Sequence, residues 1–364
     1  MQQVNCMKYF FYFILLIKFF LFLILIYIIN FGGADANTYN EMAYHDGSYY
    51  WGHFLYILNQ YGVYDRTFLK FSLFVISSIA VPFLIAKITT KNTNIFWLIV
   101  ILSSLYPTLL IFSSDIYRDV VMLFLFLIEI YLLKKFFKIN KKSYFDSLKK
   151  SFLYAVIIYF AFFLCMWREY LGFSILVTIL FYKVLDLKFI NIKIFFIFYF
   201  LMLIFFYKYG FLNHLLEYRN IFLLNKANTT LKIVLYQKDL FDFLYLYIKS
   251  VMYELFGLFF VNFGAIIFFV FETIPFIFAL RYIYKNKNML SIYEKSLLLF
   301  CVIYGTIWLL GNDNLGTAIR LRIFNYVAIY LVFFSLINKQ KFDTIKPFYV
   351  IVFMKELFFD KKSV

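Results

Sequence analysis

Cysteine, histidine and proline are nearly missing from this chain: it has 3, 3 and 4 of them among 364 residues. Cys6, Cys165 and Cys301 lie far apart, in or beside apolar runs. That spacing excludes a disulfide framework and the paired pattern of a zinc site, and it says little about redox compartment. With only 12 glycines, no Pro/Gly-rich linker and no glycine-rich phosphate loop is present. Charge is scarce as well, at 15% of residues. Soluble domains carry about 25% charged residues, so a water-solvated globular domain is excluded.

What fills the chain instead is apolar: 64% hydrophobic and 25% aromatic residues. Apolar runs close to the length of a bilayer crossing recur from end to end. They are continuous rather than alternating, so backbone hydrogen bonds must close within each segment, as in helices. The fold class expected is all-α, a polytopic transmembrane helical bundle forming a single integral membrane domain over 1–364. No internal repeat is visible. About ten spans are expected, at 9–31, 68–86, 95–112, 119–137, 151–166, 170–187, 189–207, 254–280, 296–310 and 321–337. The stretches 49–60 and 241–253 read as interfacial or re-entrant helices, and 348–359 is too short to span. Pro82, Pro107 and Pro275 fall within spans, where each can kink a helix.

The formal charge of +16 is explained by topology rather than by nucleic acid. With the N-terminus inside, the inner segments carry 23 of the 36 Lys and Arg, seven of them in "KKFFKINKKSYFDSLKK" (134–150), and the outer segments carry 12. Cytoplasmic loops are the ones enriched in cations, so both termini are expected in the cytoplasm. The outer loops are then about 32–67, 113–118, 167–169, 208–253 and 311–320. "GGADA" at 32–36 has the small residues of a signal cleavage site, but the preceding apolar run is too long for a typical signal segment. An uncleaved first span is expected.

Lysine is the default cation here, which makes the seven arginines informative. Arg66, Arg118, Arg168, Arg219, Arg320 and Arg322 all fall on the outer side; only Arg281 does not. Arg118, Arg168, Arg320 and Arg322 adjoin spans, at headgroup depth. A snorkelling anchor is the cheap explanation, but anchoring cations favour the inner end. A guanidinium offers a planar fork of five donors and keeps its charge, which suits a diphosphate. Arg118 stands between Asp115 and Asp119, and Arg168 beside Glu169; these read as ion pairs, or as forks held in place for a ligand. In "GNDNLGTAIRLR" (311–322) a turn leads into the last span, whose N-terminal amides would face outward with Arg320 and Arg322 nearby. Arg320 and Arg322, two residues apart, do not share a helix face. Asp35, Glu41 and Asp46 follow the first span and read either as solvated acids or as candidate bases. His214 is a second candidate base. His45, His53 and Asp46 match no metal-binding spacing, so no metal is expected.

"GGADANTY", "SSDIYRD", "WREYLG" and "NLGTAIRLR", in that order, resemble the O-antigen or capsule repeat-unit polymerases of the Wzy type. The resemblance runs through most of the chain, and the last string is its most distinctive part. It implies a glycosyltransferase-C-like enzyme of the bacterial inner membrane. Such an enzyme polymerises oligosaccharide units carried on undecaprenyl diphosphate, at the periplasmic face, with no cofactor. Its expected partners are the lipid-linked glycan, the bilayer, and flippase and chain-length regulator proteins. Carried across position by position, it implicates Arg118, Arg168, Arg320 and Arg322 in handling the lipid diphosphate. Taken with the residues' own chemistry, the expected catalytic residues are Asp35 as base and Arg320 at the leaving diphosphate, and Arg118, Asp119, Arg168, Arg322, His214 and Arg219 are expected to bind substrate. Several moderate outer loops, rather than one or two dominant ones, set this chain apart from many members. Another polyprenyl-phosphate glycosyltransferase, a glycan ligase and a flippase or transporter are the competing readings.

Overall fold

The computed structural model describes residues 2–46, 49–139, 143–182, 192–224, 229–237 and 239–340. The far end of the expected span 170–187, the start of 189–207 and the stretch 348–359 lie outside them. The regular elements among the described residues are all helices, with one isolated antiparallel bridge between Thr230 and Asn314. Six helices are long and apolar enough to cross a membrane: Val4–Ile28, Arg66–Thr89, Tyr144–Trp167, Phe263–Lys285, Ile292–Gly311 and Leu315–Lys339. Two bent pairs, Thr93–Ser104 with Pro107–Ser113 (60°) and Ile197–Lys208 with Asn213–Ile221 (77°), raise the number to eight if each is one span. The chain is therefore a helical membrane protein.

The difference from ten expected spans has physical causes. Asp119–Lys138 has 20 residues but carries Asp119, Glu129, Lys134, Lys135 and Lys138. Glu169–Phe181 is only 13 residues long. The expected span 254–280 starts later, at Phe263, because Gly257 turns the chain at φ +61° and ends the preceding helix. The stretch 208–250 contains the helices Asn213–Leu224 and Leu240–Ser250, and 49–60 forms the helix Tyr50–Gln60.

Short polar side chains start these helices. Asp65 accepts from the Phe68 amide at 2.6 Å, Asn262 from Ala265 at 2.9 Å, and Ser291 forms a capping box with Glu294. Each satisfies amides that the first helical turn leaves open. Proline breaks the pattern in two ways. Pro107 ends one helix and starts another across the 60° bend. Pro82 and Pro275 each follow a five-residue π-turn, Ile76–Ala80 and Phe269–Thr273, where the wider turn absorbs the missing amide.

The chain divides into two compact units: Met1–Phe160 with Pro275–Met289 and Tyr330–Val364, and Ala161–Ile274 with Leu290–Ile329. The first holds an aromatic core in which Phe11, Phe83 and Trp97 meet with ring centroids 5.5–5.9 Å apart. Phe22 and Phe74 add a second ring contact at 4.5 Å. In the second unit, Glu169–Phe181 packs along Ile292–Gly311. Trp308 donates to Asn325 at 2.9 Å and the Tyr304 hydroxyl to the Leu321 carbonyl at 3.1 Å, tying the last two helices together. Outward faces are greasy, as lipid requires: Phe145, Leu148, Phe152, Tyr159, Phe162 and Met166 line the exposed side of Tyr144–Trp167.

Candidate functional site

In the second unit, four arginines are buried: Arg168, Arg219, Arg320 and Arg322. None is a solvated anchor. A guanidinium out of water needs acceptors around it, and two of the four show theirs in detail.

Arg219 is fully enclosed and its fork is saturated. Nε donates to the Ile233 carbonyl at 3.0 Å, and Nη1 to the carbonyls of Leu309 (2.7 Å) and Asn312. Nη2 donates to Ser250 Oγ at 2.9 Å, Asp313 Oδ1 at 2.7 Å and Glu254 Oε1 at 3.3 Å. Arg219 thus joins four separate segments. Asp313 extends the lock by accepting from the amides of Lys232 (2.8 Å) and Ile233 (3.1 Å). Asn312 donates to Glu254 Oε2 at 2.6 Å. Asn314 then caps the last helix, accepting from Gly316 at 2.8 Å and Thr317 at 3.2 Å. Arg219 therefore fixes the turn from which the helix bearing Arg320 and Arg322 begins. With every donor used by the protein, it acts as a latch and offers no open fork to a substrate.

Two carboxylates share this one guanidinium. Asp313 has three close donors. Glu254 has the longer contact, and burial pushes its carboxyl up to about 8 against the pull of Arg219 and Asn312. Burial also raises Asp313, opposed by Arg219 and the two amides. Glu254 therefore holds its proton to higher pH than a free carboxyl does.

Arg322 pairs with the buried Glu272 at 3.3 Å and lies over the Tyr326 ring, 5.3 Å from its centroid. The Tyr326 hydroxyl donates to the Leu255 carbonyl at 2.7 Å and meets Thr273 Oγ1 at 3.0 Å. Gly257 lets Arg322 approach: a Cβ there would sit 2.6 Å from Nη1. Arg168 occupies the N-cap position of Glu169–Phe181 and lies 5.8 Å from the centroid of the Tyr170 ring. Arg320 is buried near the start of Leu315–Lys339. His214 is exposed, in the first turn of Asn213–Leu224.

The first unit holds Asp35, Arg118 and Asp119. Asp35 is exposed, in the first turn of Ala34–Met42. Arg118 is half-buried at the N-cap position of Asp119–Lys138, and Asp119 is buried behind it. Asp115 does not serve Arg118 as their adjacency suggests. Its buried carboxylate is held by Arg66, with Nε at 3.0 Å and Nη2 at 2.7 Å, and Lys70 Nζ stands 3.6 Å away. Arg66 Nη2 also donates to Asn37 at 3.0 Å. The segment after the first long helix and the 113–118 loop are thereby joined. A Cβ at Gly32 would lie 2.7 Å from Asp115 Oδ2, so the loop backbone sits directly on the pair.

Sequence reasoning missed Arg66, Lys70 and Asp115 as a set, and Glu254 and Glu272 as arginine partners. The first had a signal in Arg66 and Lys70, four apart at a helix start and hence on one face. The acids had one in rarity, since carboxylates amid long apolar runs need a cation or a proton. Among the described residues no three His, Cys, Asp or Glu gather to hold a metal; His53 Nδ1 and Asp46 simply pair at 2.8 Å on the surface. No protein-family model, no curated protein and no solved structure matches the chain.

Proposed function

We propose that this chain is a membrane glycosyltransferase that polymerises lipid-diphosphate-linked oligosaccharide units, of the kind made by O-antigen and capsule polymerases. In this reading it is glycosyltransferase-C-like, with about ten crossings and both termini in the cytoplasm of a bacterium. The chemistry runs at the periplasmic face. The single observation that carries it is the set of buried arginines in the second unit, Arg168, Arg320 and Arg322, at helix starts that the charge pattern assigns to one side. A diphosphate leaving group gains charge as the glycosidic bond forms, and preorganised guanidinium groups in a water-poor setting stabilise that charge strongly. A hydroxyl of the acceptor unit attacks the anomeric carbon of the growing chain. Its proton passes to a general base. Arg219 supports the site as the latch behind Arg320 and Arg322, and no longer as a substrate ligand.

The test is genetic. In a host with the matching sugar cluster, loss of a polymerase leaves single repeat units on the surface acceptor. Loss of a flippase leaves none, and loss of a ligase leaves polymer on the carrier lipid. Any outcome but the first removes this proposal.

One observation favours transport instead. Lys18 and Glu129 are buried within helices of the first unit, with no hydrogen-bond partner for Lys18 Nζ or either Glu129 oxygen among the described residues. Ionisable groups inside a membrane helix often mark a conduction path. Glu129→Gln separates the readings: it should silence a proton-coupled transporter and leave a polymerase working.

A further inference from the structure

Arg66, Lys70 and Asp115 form a second cationic cluster, within the first unit. Two cations meet one buried carboxylate. Asp115 is spent on the protein, since it accepts both Arg66 contacts and the Ile116 amide at 2.8 Å. Arg66 uses Nε and Nη2, and Nη1 has no partner among the described residues. Its side chain as a whole is 29% exposed. The Lys70 side chain is only 11% exposed, and the one acceptor near its ammonium is Asp115, at the loose distance of 3.6 Å. An ammonium has three donors to satisfy. Beside these groups begins Ala34–Met42, a nine-residue helix with no side-chain cap. It is close: a Cβ on Gly32 would lie 3.8 Å from Arg66 Nη2. Asp35 in that first turn is exposed, so water screens it more than the buried cations.

We infer that Arg66 Nη1, Lys70 Nζ and the start of Ala34–Met42 form a subsite for a phosphate group. Such a group carries the negative charge the cluster lacks, and its several oxygens can take donors from both side chains at once. Arg66 is the first residue of an apolar helix long enough to span, so the subsite stands at headgroup depth. A lipid headgroup or a soluble phosphate ester would serve the same donors. The inference stands apart from the polymerase reading and survives its failure.

The test uses the full-length protein in neutral detergent, with melting followed while inorganic phosphate or phosphatidic acid in mixed micelles is titrated in. Chloride and phosphatidylcholine are the controls. Lys70→Met keeps the Arg66–Asp115 pair, and each variant's melting shift is measured against its own probe-free baseline. The apparent affinity of Lys70→Met for the phosphate probe should fall about tenfold, the loss of one charged hydrogen bond. Arg66→Gln should lose binding outright. A shift with phosphatidic acid alone assigns a headgroup, and a shift with inorganic phosphate as well assigns a soluble ester; both support the subsite. No shift with either probe, or equal affinity in Lys70→Met and wild type, overturns it.

Discussion

Replacing Arg219 by methionine is the sharpest test of how the second unit is held together. The substitution keeps the apolar stem and removes the guanidinium. Asp313 and Glu254 then remain buried with no cation, and the Ile233, Leu309 and Asn312 carbonyls and Ser250 lose their donor. Removing one partner of a buried ion pair costs about 3–5 kcal/mol, mostly because the other charge is stranded. At about 2–4 °C of melting temperature per kcal/mol, the shift is about 6–20 °C. Melting in detergent, followed by tryptophan fluorescence or size exclusion after heating, reads it directly. The loss should concentrate where the latch sits, so protease cleavage within 229–237 should rise well before global unfolding.

The control decides the mechanism. If stranded charge is the cause, Arg219→Met combined with Glu254→Gln and Asp313→Asn should recover much of the loss, because the neutral triple no longer buries an uncompensated ion. Arg219→Lys should fall between, since one ammonium cannot reach six acceptors. A single Met variant melting within about 1 °C of wild type, against the 3–5 kcal/mol expected, would refute the latch. A triple variant no better than the single would show that the geometry of the fork, not charge balance, is what matters.

Other outcomes follow from neighbouring features. The Glu254 carboxyl is raised from 4.5 to about 8, so the folded state holds a proton that the unfolded chain releases. Its contribution is full below the unfolded value and fades as pH rises through that window; melting should drop between about pH 5 and pH 8.5, and Glu254→Gln should flatten the slope. Gly257→Ala adds a Cβ 2.6 Å from Arg322 Nη1 at a backbone φ of +61°, and should lower stability by about 1–3 kcal/mol in a melting assay. Gly32→Ala should do the same to the Arg66–Asp115 pair, and Gly264→Ala, which meets only Asn262 Oδ1 at 3.2 Å, should be milder. If the polymerase reading is right, Arg320→Ala should abolish long chains on a polysaccharide gel while membrane insertion, checked by fractionation, is unchanged; normal long chains would remove Arg320 from the site.

Much of the fold was legible because lipid leaves little choice: a long apolar run must be a helix, and its position can be read by eye. What could not be read was how polar interruptions are absorbed. Asp119–Lys138 lies within three residues of the expected 119–137, yet its charge content sets it apart from the six clear spans. Gly257 ended a helix that hydropathy alone ran together, because mean apolarity is blind to one left-handed residue. At the site, the arginines were visible by rarity, but their partners were not. Adjacency in sequence suggested Asp115 for Arg118, whereas the helix face offered by Arg66 and Lys70 took it. Nothing in the string around Arg219 distinguishes a latch from a ligand, because its acceptors come from residues 14 to 94 positions away.

The two acids that answer arginines in the second unit share a local device. Glu254 lies in the π-turn Val251–Leu255 and Glu272 in the π-turn Phe269–Thr273. A π-turn takes one extra residue into a helix, so everything before it is rotated by roughly 100° relative to everything after, the angle of one residue in a 3.6-fold helix. In a helix facing lipid, that rotation aims a carboxylate inward at an arginine while its neighbours keep their apolar side outward. Phe271, next to Glu272, is exposed while Glu272 is fully buried. The same turns bring Leu255 O and Thr273 Oγ1 to the Tyr326 hydroxyl. Of the four π-turns among the described residues, these two each carry a buried acid, while Ile24–Ile28 and Ile76–Ala80 carry no charged residue.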